Sequence, residues 1–399
     1  MSERQADVVV VGGGPAGAAC ARLLARAGLA VTLLDKAAFP RPKPCGEYTS
    51  PRVAAVLARL GLRGAVDAAG ARWLDGMWLH GPGGGAWLVD YAAQGQRALA
   101  LSREALDATL LDGARAAGAR VEERCRAVDL LRDGRGHVAG VVARAGSATR
   151  TYRARLVVGA DGAQSAIVRA LGVAAPVPWP RRMGLVAHYA GVDLSARGEM
   201  HVGGHGYCGL APLGDGLVNV GVVVDLPRPG AAAPPAAILE RAVGALPGAR
   251  RRLAGARRVS PVRGVAPLAR RVRRPCGDGW LLVGDAAGFL DPFTGDGVYE
   301  ALLGGVLAAS VARRALDRGN LSARGLAPYA RLRRRALGPK RGLAWLLQVF
   351  VHQPWLLDYA IQRLGERPAL GPPLAGALGD FRSARAVLDP SYLWRLLTP

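Results

Sequence analysis

The residues best placed to do chemistry begin with a run of small ones. Gly12-Gly13-Gly14-Pro15-Ala16-Gly17 has the spacing G-x-G-x-x-G. Such glycines serve a phosphate: Gly12 permits a tight turn, Gly14 lets backbone approach a pyrophosphate, and Gly17 lets a helix lie close on the preceding strand. Pro15 and Ala16 open that helix, whose free N–H groups and partial positive charge suit an anion. Asp35, followed by Lys36, stands where a carboxylate can accept both hydroxyls of a ribose. The glycines alone do not separate FAD from NAD. Further acids follow in GADGAQSAIVR, with Asp161-Gly162, and in GDAAGFLDPFTGDG, with Gly284-Asp285. Cys45 closes the proline-rich segment FPRPKPCG.

These groups need elements that hold them. Residues 7–11 and 31–34 read as buried strands and 16–27 as the helix between them, stopped by Gly28. Residues 156–160 and 280–283 read as further buried strands, each running into its acid, and an apolar helix follows over 298–316. Asp296 has the position of that helix's N-cap. Residues 73–79 and 86–91 predict short strands joined by glycines. Residues 183–192, 199–202, 206–210 and 217–224 alternate loosely as antiparallel strands do, with Gly214-Asp215-Gly216 as a hairpin turn. From about 321 onward the pattern is helical, with breaks at Pro354 and Pro368.

Composition removes several classes of function. The 399 residues include 53 basic and 30 acidic ones, a net charge of +23. Only Lys36, Lys43 and Lys340 are lysines, and the arginines are scattered through apparent helices and strands. Aromatic residues make up 6%, too few for a base-stacking platform, so no nucleic acid is expected as partner. Cys20, Cys45, Cys125, Cys208 and Cys276 are dispersed and form no CxxC pair, which argues against disulfides and metal clusters. No histidine shows ligand spacing, so no metal is expected. His201 and His205 flank a glycine turn, where either packing or acid–base work is open to them. The first apolar run is too short for a signal peptide, and no apolar stretch is long enough to span a bilayer. The expectation is a cytoplasmic protein. The arginines 331–335 beside the apolar 343–350 would allow contact with a membrane surface, a cap on the substrate tunnel, or plain packing.

Taken together over residues 5–318, the three motifs in this order resemble the FAD-dependent superfamily of aromatic hydroxylases, flavin halogenases and geranylgeranyl reductases. The resemblance implies tightly held FAD, with NAD(P)H as a transient electron donor. It implies that Asp285 meets the ribityl and pyrophosphate region, that Asp161 and Gly162 lie near the pyrophosphate, and that Arg103 contacts the flavin side. Pro292 would lay the loop along the flavin ring, and Gly295 and Gly297 would let N–H groups approach it. The KPCG segment resembles that of the geranylgeranyl reductases, near the ring, where Cys45 would donate a proton or line the cavity. Tyr207-Cys208-Gly209-Leu210-Ala211-Pro212 keeps the Tyr and Pro of the reductase pattern Y-x-W-x-F-P, but Gly209 and Ala211 replace its large residues. Small residues there predict open space over the flavin for a long or bulky substrate.

The expected fold is α/β: a discontinuous Rossmann-like FAD-binding domain of the glutathione-reductase type (1–72, 100–171, 268–318), an inserted β-sheet substrate domain (73–99, 172–267) and C-terminal helices (319–399). The leading expectation is an NAD(P)H-dependent monooxygenase that uses molecular oxygen to hydroxylate a hydrophobic aromatic or polyketide-type molecule. The alternative is a reductase of isoprenoid double bonds in a lipid or menaquinone tail, with Cys45 or Tyr207 near the reacting atoms. A halogenase and a non-enzymatic prenyl-binding protein are minor alternatives.

Overall fold

Val8 to Val11 have almost no solvent exposure, as the centre of a parallel sheet covered on both faces requires. In the computed structural model, which describes residues 3–204, 206–227 and 233–398, they belong to strand Glu3–Val11. This strand pairs in parallel with Val31–Leu34 on one side and Ala148–Gly159 on the other. Arg120–Glu122 and Trp280–Leu282 extend the parallel sheet outward. The hairpin Cys125–Arg132 and Val138–Ala145 adds antiparallel strands to Ala148–Gly159. Helix Pro15–Arg26 follows the first strand and ends before Gly28, whose φ of +82° is cheap only for glycine.

Helix Gly297–Asp317 lies against Pro15–Arg26. Their separation is set by Gly305: a β-carbon there would come 2.3 Å from the Ala16 carbonyl oxygen. The amino-terminal motif and the late motif are therefore locked together by backbone contact.

A second sheet is mostly antiparallel. Its central strands are Arg182–Ala190, Leu217–Asp225, Gly206–Gly214 and Arg197–Gly203, followed by Gly76–His80 and Ala86–Asp90. The 214–216 turn joins two of them as expected, with positive φ at Gly214, Asp215 and Gly216. The single strand expected over 73–79 is divided. Arg72–Leu74 joins a small sheet with Ala98–Ala100 and Tyr48–Thr49, whereas Gly76–His80 enters the large one. The reason lies at Asp75, whose N–H donates to Ala196 and whose carbonyl accepts from Tyr91 and Ala92. The chain thus changes partners there.

Beyond residue 318 the chain is helical. Pro328 and Pro339 fall inside the 30-residue helix Ala323–His352, and Pro354 starts a helix, Pro354–Glu366, rather than merely ending one. Buried Lys340 donates to the carbonyls of Ala377 (3.0 Å) and Leu378 (2.8 Å) and pairs with Asp380 (3.1 Å) and Asp296 (3.6 Å). This lysine ties the C-terminal helices to the start of helix Gly297–Asp317. Asp296 makes no side-chain cap there, because its carboxylate faces Lys340 instead. Among the described residues, no helix is long and apolar enough to cross a membrane.

Candidate active site

The three glycines of the first motif differ in what surrounds them. A β-carbon at Gly12 would come 2.4 Å from the Ala160 oxygen, and one at Gly17 would come 1.9 Å from the Gly12 oxygen. Those two are required by the protein's own backbone. Gly14, at the start of helix Pro15–Arg26, is not: a β-carbon there would meet only the guanidinium ends of Arg41 (3.7 Å) and Arg103 (3.9 Å). A helix N-terminus facing open space between two arginines is a place for a pyrophosphate. Both arginines are held by the buried Asp107, Arg103 through two contacts of 2.7 and 2.9 Å and Arg41 through one of 3.0 Å. The Asp35 carboxylate accepts from the N–H of Gly13 (2.7 Å) and of Ala37 (2.8 Å), which braces the turn; Lys36 beside it is exposed.

The other two motifs arrive at the same place. Asp161 lies against Gly12 and accepts from Ser165 (2.5 Å) and the Ala166 N–H (2.6 Å), and burial raises its pKa. Gly162 faces the Lys43 ammonium, which in turn sits 3.6 Å from Asp285. Gly284 packs on Ala16. Gly295 has a reason of its own: the Tyr48 ring would collide with any β-carbon there, at 2.3 Å. Pro292 accepts the Gly295 N–H at 2.9 Å. Gly297 lies beside Phe289. Gly12 against Asp161 and Gly284 against Ala16 thus bring parts of all three motifs together.

A polar cluster that the sequence reading did not assemble links the loop at 45–47 to the antiparallel sheet. Glu47, buried and in the left-handed region at φ +54°, accepts from the Arg103 N–H (2.7 Å), the Asn219 amide (2.9 Å) and His188 Nε2 (2.6 Å). That bond and the carboxylate charge raise the His188 pKa. Asn219 also donates to the Cys45 carbonyl (3.1 Å), and its own Oδ1 is buried without a donor. Cys45 therefore belongs to this cluster, with its sulfur accepting from the Glu47 N–H at 3.4 Å. The available signal was Asn219 itself, a lone polar residue in the apolar run LVNVGVVV.

Tyr207 is placed elsewhere. Its hydroxyl donates to buried Asp291 at 2.5 Å, its ring meets Phe293 edge-on, and burial and Asp291 together push its pKa well up. The space expected beside Gly209 and Ala211 is filled: the Met200 thioether takes the room next to Gly209, and Ala211 packs against Tyr48 and Leu74. An apolar cavity lies instead between the large sheet and the C-terminal helices. Phe293, Leu343, Leu347, Phe350, Ile361 and Leu396 are among its walls.

His80 and His201 stand opposite each other on paired strands, and with Glu199 they bring three ligand atoms within 4.8 Å. His80 lies far from Glu199 and His201 in sequence, so the trio shows no spacing signal. Arg252 already neutralises Glu199, which despite burial is held at about 2 by its bonds to His201 and Arg252. His205 lies outside the described residues.

This geometry defines a dinucleotide-binding protein: open space at a helix start, flanked by guanidiniums and acids, with an apolar cavity at the late loop. The chain belongs to the FAD binding domain family, whose model matches residues 5–319. It is 33% identical over 344 residues to a digeranylgeranylglycerophospholipid reductase of Methanothrix thermoacetophila, spanning 83% of this chain and 84% of that one. It is 33% identical over 335 residues to a menaquinone reductase of Mycolicibacterium smegmatis, spanning 77% and 76%. A geranylgeranyl bacteriochlorophyll reductase-like structure from Thermoplasma acidophilum superposes with a TM-score of 0.80 at 25% identity, covering 92% of this chain and 93% of that one. The flavin-dependent brominase Bmp2 shares the fold, with a TM-score of 0.82 at 24% identity over 94% of each chain. The protein is an FAD-dependent oxidoreductase.

Proposed function

We propose that this oxidoreductase saturates carbon–carbon double bonds in the isoprenoid chain of a lipid or quinone. The observation that carries the reading is the wholly apolar cavity reaching Phe293, the residue after Pro292 in the flavin loop. The cavity is about 60 Å³, space for roughly two methylenes, each of which gains about 0.8 kcal/mol when buried against such walls. The names of the reductase relatives support the same reading. Gly209 and Ala211 counted against reduction in the sequence, but Met200 supplies the bulk that Gly209 lacks. We therefore prefer alkene reduction to hydroxylation, the leading expectation from the sequence.

When bound, reduced FAD supplies the electron pair for such a reduction. The chain's own residues do the rest. Helix Pro15–Arg26, Arg41 and Arg103 hold the pyrophosphate, and the C-terminal helices keep water from the hydrocarbon. His188 holds a proton that its bond to Glu47 helps it keep, which makes it a candidate source of the proton the product carbon takes up. Tyr207 keeps its own proton on Asp291 and shapes the loop. NAD(P)H would reduce the flavin transiently, since no second glycine motif offers it a resident site. The test is mass spectrometry of a panel of polyprenyl lipids and quinones after anaerobic incubation with reduced enzyme. Two hydrogens gained per double bond are expected. Turnover that requires oxygen and incorporates labelled oxygen would overturn the reading in favour of hydroxylation.

A further inference from the structure

Among the described residues, most of the large hydrophobic side chains left exposed lie in the C-terminal helices. Trp345 and Val349, one turn apart on helix Ala323–His352, are 43% and 45% exposed, and Trp355 and Trp394 are each 67% exposed. Trp179 stacks on Trp345 at 5.6 Å and also meets His352 at 4.8 Å. Tyr359, one turn beyond Trp355, donates to the Leu397 carbonyl at 3.2 Å, which brings the last helix, Pro390–Leu397, alongside. The same helices turn their other faces inward: Leu343, Leu347 and Phe350 from one, Leu393 and Leu396 from the other, line the apolar cavity. Exposed Arg331, Arg334, Arg335 and Arg395 stand on these helices too, in a chain of net charge +23.

We infer that this face docks on an anionic lipid bilayer, with Trp345, Trp355 and Trp394 inserted at headgroup level. Tryptophan prefers that depth because its ring is apolar and its N–H is polar. Each arginine close to an anionic surface adds about 1 kcal/mol of attraction. The bilayer is favoured over a protein partner because exposed tryptophans and arginines occur together on these helices, in a chain of net charge +23; with the cavity on their other side, a lipid leaving the membrane enters between them. This last step rests on the isoprenoid reading; the docking itself does not.

The experiment is sedimentation of the FAD-loaded chain with vesicles of phosphatidylcholine alone or with one quarter phosphatidylglycerol, without substrate. Failure of docking and failure of the reductase reading thus appear in different assays. Wild type is expected to sediment with the anionic vesicles, at least ~10-fold more strongly than with neutral ones, and to be released by salt. The double variant Trp355→Glu/Trp394→Glu, altered at exposed positions, is expected to keep its flavin and melting temperature while losing at least ~10-fold in vesicle binding. Equal sedimentation of variant and wild type would overturn the proposal. So would a wild-type dimer in solution that the variant converts to monomer, since a second copy would then own the face.

Discussion

The two sheets treat polar chemistry in opposite ways. Around the parallel sheet, the ligand site is made largely of backbone: glycines, a helix start and short loops, with Asp107 and Asp35 bracing them. Around the antiparallel sheet, polar side chains from distant segments pair with one another, such as Glu47 with His188 and Asn219, or Tyr207 with Asp291. A backbone site recognises what all FAD molecules share, and it tolerates little change. The members of a side-chain cluster depend on one another, because each buried polar atom left alone costs about 1–3 kcal/mol.

The sharpest break of this contrast is Gly14→Val. Only the guanidinium ends of Arg41 (3.7 Å) and Arg103 (3.9 Å) approach the new β-carbon, so the fold is expected to stand while FAD affinity falls at least ~100-fold, about 2.8 kcal/mol. Flavin absorbance together with circular dichroism reads both, and a variant that stays yellow would remove the cradle. Next comes His188→Gln, expected to lower turnover about 100-fold. In wild type the rate should fall as pH rises through the His188 pKa, which lies above the usual 6.5. The variant should lose that limb, and an unchanged profile would take the proton from His188.

Smaller effects concern stability. Glu47→Gln should cost about 1–3 kcal/mol, since Arg103, Asn219 and His188 share one carboxylate. The sign follows from the raised His188 pKa. Stability from the pair is present below the unfolded value and lost as pH climbs through the folded one, so wild type and variant should converge in melting temperature above it. Convergence at low pH instead would contradict the pairing. Smallest is Tyr207→Phe, at about 1–2 kcal/mol of stability. Its turnover should change less than tenfold, because the hydroxyl is committed to Asp291. A far larger drop in turnover at unchanged stability would make Tyr207 the proton donor and sharpen the side-chain half of the comparison.

The sequence alone was enough for the centre of the parallel sheet and the turns at its strand ends, though not for the strand Arg120–Glu122 or the hairpin Cys125–Arg132 and Val138–Ala145. Glycines 12, 14 and 17, the acid at 35 and the strands beside them are close in the chain, and a turn of given φ or a helix start is a local event. The late motif was legible for the same reason, although the need for Gly295 came from Tyr48, a contact no spacing announces. Tertiary structure decided everything that depends on pairing between distant strands. His188 meets Glu47, Met200 fills the room beside Gly209, Asp75 divides a strand between two sheets, and Asp296 turns to Lys340 instead of capping its helix. Cross-strand neighbours are set by register over the whole sheet, and sequence separation carries no record of it.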